Sequence, residues 1–164
     1  MKEKNLYLLY GEETYDLNKK VESIKKGFDK LENGINLFYI TKDNLESLDN
    51  VLTEVTFFGN HKLVIIKDTN LKFDVELLKQ IDKEVVVVII EESVDKRTTA
   101  YKTLSKIAQV LEFKALDRKQ MTTYCYELFK KYGMELTFDI ADYFVEVCGT
   151  NKTNNINEIM KIVI

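Results

Sequence analysis

Leu6-Tyr7-Leu8-Leu9-Tyr10-Gly11-Glu12-Glu13-Thr14 passes from an unbroken apolar stretch through a glycine into two carboxylates. A short apolar run without alternation fits a strand buried on both faces, as in a parallel sheet; a strand with one wet face would alternate. Thr14 can cap a helix. Leu17, Val21, Ile24, Phe28 and Leu31 then follow at steps of four and three, the apolar stripe of a helix laid against a sheet. Asn33-Gly34 marks its end. Strand, glycine and helix in this order make the first part of a βαβ unit.

The pattern recurs downstream. Residues 35–40, 63–66, 85–90 and 110–113 read as further strands. Between them, Asp43 or Asn44 can open a helix with apolar positions Leu45, Leu48, Val51, Leu52 and Val55, residues 73–81 make a short helix, and residues 98–107 another. Strands alternating with helices predict an α/β domain over residues 1–115: a five-stranded parallel, doubly wound sheet with helices on both faces and right-handed crossovers.

Beyond residue 115 the strands stop. Asp117 and Gln120 stand at capping-box spacing ahead of Met121, Tyr124, Cys125, Leu128, Phe129 and Tyr132, and Gly133 ends that helix. Thr137 opens a second, with Phe138, Ala141, Phe144, Val145 and Cys148 inward, closed by Gly149. Asn155 and Glu158 repeat the capping-box spacing before Ile159, Met160 and Val163. Residues 116–164 are thus expected to form a small three-helix domain. Ile164 falls in mid-helix with no stop signal, which reads as a piece of a longer protein.

Composition narrows the function. With 45% apolar and 31% charged residues among 164, the chain can bury a core. The formal charge is -3, and the only arginines are Arg97 and Arg118, so bulk charge does not suggest free-standing nucleic-acid binding. Cys125 and Cys148 have no metal-ligand spacing and read as small buried residues. No signal-peptide segment precedes the first strand, and the apolar run at 85–90 is too short to span a bilayer. The expectation is a soluble, cytoplasmic protein without a membrane partner.

A doubly wound sheet takes its ligand beyond the carboxyl ends of its strands. A phosphate-binding loop here would need a glycine, a lysine and a Ser or Thr five, six and seven residues after Gly11; the chain has Asp16, Leu17 and Asn18. Glu12, Glu13 and Asp16 instead crowd the helix N-terminus, where carboxylates complement the dipole and repel a triphosphate. Asp68 alone is weak evidence for a metal, Glu91-Glu92 read as a solvated strand end, and His61, the lone histidine, reads as a surface residue. No catalytic site, cofactor or metal is expected.

Four clusters carry a resemblance. They are Tyr7 through Glu13; Phe57-Phe58-Gly59 with Lys62-Leu63-Val64-Ile65-Ile66; residues 87–92 followed by Asp95-Lys96-Arg97; and Gly149-Thr150 with Asn157-Glu158-Ile159. In order and spacing the whole chain resembles the delta subunit of bacterial DNA polymerase III, the clamp-opening subunit of the replicative clamp loader. The resemblance implies an AAA+-like α/β domain without a working P-loop, then a helical lid domain, with a C-terminal collar domain absent from this chain. It implies a non-catalytic subunit of the polymerase holoenzyme that binds and helps open the sliding clamp, partners the other loader subunits, and meets DNA only through the assembled loader. The clamp-binding pair would be Phe57 and Phe58, supported by Thr56 and Gly59. His61 stands where the family commonly has arginine. The family's Ser-Arg-Cys motif is missing, so Arg97 is a poor candidate for an arginine finger.

If the helix through Leu45 and Val55 continues at ~100° per residue, Phe58 lands just off the edge of its apolar stripe and Phe57 on the opposite side. Phe57 would then project and Phe58 wedge partly inward. If the chain instead leaves the helix at Thr56, both rings can pack beneath the sheet. Two other readings stay open: a nucleotide-binding α/β protein with an atypical site, and a generic α/β interaction domain.

Overall fold

The computed structural model describes residues 5–55 and 61–164. The chain divides into two compact units, residues 1–113 and 114–164.

In the first unit, β1 (Leu6–Tyr10), β2 (Leu37–Ile40), β3 (Lys62–Lys67), β4 (Val85–Glu91) and β5 (Gln109–Glu112) form one sheet in the order β2-β3-β4-β1-β5. Every pairing is parallel. This is the five-stranded parallel, doubly wound sheet that the alternation of strands and helices foretold, and it is consistent with the AAA+-like domain that the resemblance implied. The connections from β2 through β5 all step across the sheet in one direction, whereas β1 to β2 steps back in the other. Right-handed crossovers therefore send α1 (Thr14–Lys25) to one face, and α2 (Leu48–Thr53) and α3 (Thr99–Ile107) to the other.

Alternate strand residues fill these two faces. Leu9, Leu63, Ile65 and Val88 pack with Leu17 and Val21 of α1. Leu8, Val64, Val87 and Ile89 pack with Leu48 and Leu52 of α2 and Leu104 of α3. Both faces of β1, β3 and β4 are buried, which is why those segments read as continuous apolar runs.

Several boundaries differ from expectation. Glu13, not Thr14, caps α1, and the helix stops at Lys25; Phe28 and Leu31 still reach the same cluster from the non-helical chain beyond Gly27. Strand β2 starts at Leu37 because Ile35 and Asn36 belong to a turn. The buried Asn36 amide ties that turn by accepting from the Glu32 N–H at 2.7 Å and donating to the Lys30 carbonyl at 2.9 Å. The expected helix over Leu45–Val55 splits into a 3-10 segment, Lys42–Ser47, and the short α2. Residues 73–81 contribute only a 3-10 turn, Val75–Lys79.

The largest surprise is Glu91, read from sequence as a solvated strand end. It is 2% exposed. Its carboxylate accepts from the Thr69 N–H at 3.0 Å, the Thr69 hydroxyl at 2.7 Å, the Asn70 N–H at 3.1 Å and the Leu71 N–H at 3.3 Å. The turn it holds puts Asp68, Asn70 and Leu71 at φ near +55°, unfavourable for a leucine. One carboxylate gathers the donors and fixes this strained exit from β3.

The second unit packs α4 (Arg118–Lys131), α5 (Phe138–Cys148) and α6 (Lys152–Val163) around Met121, Cys125, Phe129, Val145 and Ile159. The Asp117–Gln120 capping box forms as expected, with both reciprocal bonds present. Helix α6 begins a turn earlier than predicted. Asn151 caps it, and Asn155 lies inside, buried, donating to the carbonyls of Gly149 and Asn151 at 2.8 Å each. Cys125 and Cys148 are free, and burial pushes the Cys125 thiol up to about 11.

Glu91→Ala should lower the unfolding free energy by about 3 kcal/mol in urea titration, because the donors of the 69–71 turn lose their common acceptor. A loss below about 0.5 kcal/mol would show that the turn holds itself.

Candidate functional site

The sheet reverses its winding between β1 and β4, and the carboxyl ends of these strands are where such folds open a ligand crevice. In this chain that place is filled from within. Gly11 leaves β1 with φ +132° and its N–H donates to the Glu91 carbonyl at 3.2 Å. A β-carbon on Gly11 would lie 2.0 Å from the Phe113 carbonyl oxygen, so only glycine allows the β1 and β5 exits to approach so closely.

Directly after it, Glu13 turns its carboxylate back onto the first turn of α1. It accepts from the N–H groups of Tyr15 and Asp16, both at 2.9 Å. Helix N-termini bind phosphate through such amides. Here the protein's own carboxylate, largely buried, takes them. The neighbouring cation is also engaged. Lys96 pairs with Glu112 at 3.0 Å and lies over the Tyr10 ring, and the Glu112 carboxylate holds its ammonium well above the usual lysine range. Arg97 is bound by Asp95 through two hydrogen bonds, at 2.9 and 2.8 Å. Asp68 is exposed and lies 3.9 Å from Lys67.

The sequence-predicted contact residues Thr56, Phe57, Phe58 and Gly59 lie outside the described residues. Their neighbours on both sides are described, and they belong to the opposite, amino edge of the sheet. Helix α2 ends at Thr53, whose hydroxyl bonds back to the Asp49 carbonyl at 2.9 Å. Glu54 then turns to an extended ψ of 136°. Val55, expected on the inward stripe, is 73% exposed. The helix therefore does not continue past Thr53, and the phase argument that assigned different directions to Phe57 and Phe58 does not apply.

On the far side, the His61 ring packs against Phe28 with centroids 4.6 Å apart. Lys62 enters β3 almost wholly buried, and its ammonium donates to the Glu54 carbonyl. Sequence reasoning named neither Lys62 nor Glu91 for the role it plays. Nothing in the local pattern marks them, since their partners lie 8 and about 20 residues away.

The family model for "DNA polymerase III, delta subunit" matches residues 7–114. The DNA polymerase III subunit delta of Bacillus subtilis (strain 168) is 24% identical over 176 aligned positions, which take in 96% of this chain and 51% of that protein. Among solved structures, the Bacillus subtilis DNA clamp loader delta protein superposes with a TM-score of 0.72 at 25% identity, over 97% of this chain and 52% of its own. A replication initiator DnaA, solved with AMPPCP and single-stranded DNA, shares the fold at a TM-score of 0.52 and 16% identity, over 99% of this chain and 56% of its own. The chain thus spans about half the length of the relatives it matches. With the family model matched across residues 7–114, most of the α/β unit and more than half of the chain, the chain belongs to the DNA polymerase III delta subunit family.

Proposed function

We propose that this chain is the part of a clamp-loader delta subunit that binds the sliding clamp and helps to open it, using Phe57 and Phe58 as apolar anchors with Thr56 and Gly59 shaping their presentation. The observation that carries the reading is the division of the sheet into two unlike edges. At the carboxyl edge, Glu13 and Glu91 occupy the backbone donors that a ligand would use. At the amino edge, the chain leaves α2 with an exposed valine and re-enters β3 five residues before its Lys67 end, the intervening stretch holding two adjacent phenylalanines. Its work is accordingly protein contact, without nucleotide, metal or catalysis of its own.

Residues 1–115 act as the α/β domain and residues 116–164 as the lid domain of this subunit. The other loader subunits are its assembly partners through a collar domain beyond this stretch, and DNA is met within the assembled loader. Among the described residues no helix is long and apolar enough to cross a membrane. A cytoplasmic location accompanies a role in replication.

The energetics suit an anchor of this kind. A buried aromatic side chain covers ~150–250 Å². At ~25 cal/mol/Å², a pair supplies several kcal/mol before association costs.

The double variant Phe57→Ala/Phe58→Ala should bind the clamp about 2 kcal/mol or more weaker, roughly thirtyfold, with an unchanged circular-dichroism spectrum. Surface plasmon resonance against the clamp from the same organism reads this directly, and wild-type affinity in the double variant would remove the pair from the interface. Mg-ATP should leave the melting temperature unchanged. A ligand present at ~100 times its dissociation constant would stabilise the fold by ~2.7 kcal/mol, and a rise of that size would restore the nucleotide-binding reading.

A further inference from the structure

Helix α5, Phe-Asp-Ile-Ala-Asp-Tyr-Phe-Val-Glu-Val-Cys, is more apolar than its place in a three-helix unit requires. At ~100° per residue, Ala141, Val145 and Cys148 share one face, and Ile140, Tyr143 and Val147 share the face beside it. The first set turns to the core: Ala141 and Val145 are buried. The second set is left outside, each side chain more than half exposed, and so is Ile162 in the last turn of α6. The apolar arc of α5 is about twice the ~100° that facing one core takes.

These outer residues form a groove. Leu136, Ile140, Tyr143, Phe144, Val147 and Ile162 line a cavity of about 300 Å³. Its wall is preformed, because Phe144 packs edge-to-face on the buried Phe129, with ring centroids 5.2 Å apart and planes at 82°. A contiguous exposed apolar patch of this kind marks a contact for another molecule. Spacing of three and four residues along the exposed stripe is the pattern that receives a helix.

Charge narrows the occupant. Helix α5 carries Asp139, Asp142 and Glu146 and no basic residue. At ~100° per residue all three carboxylates fall on the flank of the stripe next to Tyr143. Arg118 of α4 pairs with Asp142 at 2.8 Å and with Glu146 at 3.2 Å, offsetting one of these charges. Asp139, like Glu135 ahead of the helix, makes no ion pair among the described residues. Lys130 and Lys131 close α4, and Lys161 of α6 is taken by Glu158 at 2.7 Å. A second copy laid along the same stripe would set acids against acids, which like-charge repulsion disfavours. A helix with cations on that flank meets the opposite sign.

We propose that this groove docks an amphipathic helix of a protein partner, apolar on the face it buries and bearing lysine or arginine on the flank that meets Asp139 and Glu146. The inference goes beyond the clamp contact, since every residue it uses lies in the second unit.

The experiment titrates the whole 164-residue chain against two fluorescein-labelled helical peptides by anisotropy. Both peptides have about 18 residues, with leucines at i, i+3, i+4 and i+7 and glutamine elsewhere. One has lysines beside the leucine stripe, the other glutamates. The lysine peptide should bind at least about tenfold more tightly than the glutamate peptide, with the gap narrowing as salt is raised. Ile140→Ser/Val147→Ser, which alters exposed side chains and should keep the wild-type melting temperature, should weaken the lysine peptide about tenfold. If that variant does not fold, Tyr143→Ser alone is used and should weaken it severalfold. Asp139→Asn/Glu146→Gln should also weaken it severalfold, whereas Asp29→Asn/Asp43→Asn, the same loss of charge in the first unit, should leave it unchanged. Equal binding of the two peptides, binding of neither, or wild-type binding in the serine variant overturns the inference. So does a dimer of the free chain in sedimentation equilibrium that the serine variant dissolves, which would give the groove to a second copy.

Discussion

The carboxylate of Glu91, buried at the end of β4, is the constraint on which the carboxyl edge of this sheet depends. A doubly wound sheet leaves a crevice where its winding reverses, and here the reversal lies between β1 and β4. Glu91 sits at that junction. Its backbone carbonyl receives the Gly11 N–H, and its side chain receives three further N–H groups and a hydroxyl from the 69–71 turn. A buried carboxylate is tolerated only when its lone pairs are satisfied in this way. The same bonds stabilise three non-glycine residues in left-handed backbone, which would otherwise relax. Glu13 plays a parallel part on the other wall by satisfying the first amides of α1. Two acids of the protein's own thus stand where an open fold would present donors to an anion.

The amino edge is built on the opposite principle. Its buried polar group is a cation, Lys62, bonded to the carbonyl of Glu54, the extended residue after α2, and its outward residues include the exposed Val55. Because the sheet is wholly parallel, the two edges are separated by the length of the strands. Changes that close the crevice need not disturb the amino edge.

Much of this fold was legible from local pattern. The unbroken runs of β1 and β4 are apolar because both faces are buried, and hydropathy alone reports that. The Asp117–Gln120 capping box is a bond between near neighbours, so its spacing was sufficient. What was not legible depends on distant partners. Glu91 looked like a wet strand end because its donors come from a turn 20 to 22 residues earlier. Asn155 looked like a cap because Asn151, a turn earlier, offered the same side chain. The helix over residues 45–55 was overestimated because its apolar spacing suits a 3-10 segment followed by a short α-helix nearly as well. Of the candidate site, the residues were named from composition and family resemblance. The geometric argument for their directions depended on that helix and did not survive its shortening.

The early close of α2 removes helical phase as a guide to the residues that follow it. A pair on a continuing helix would be directed by helical phase, and each ring would have its own role. With α2 closed at Thr53 and Glu54 extended, that phase ends before residue 56. The buried lysine, unfavourable as a packing choice, is tolerated at the head of β3 because its ammonium donates to the Glu54 carbonyl where the chain leaves α2.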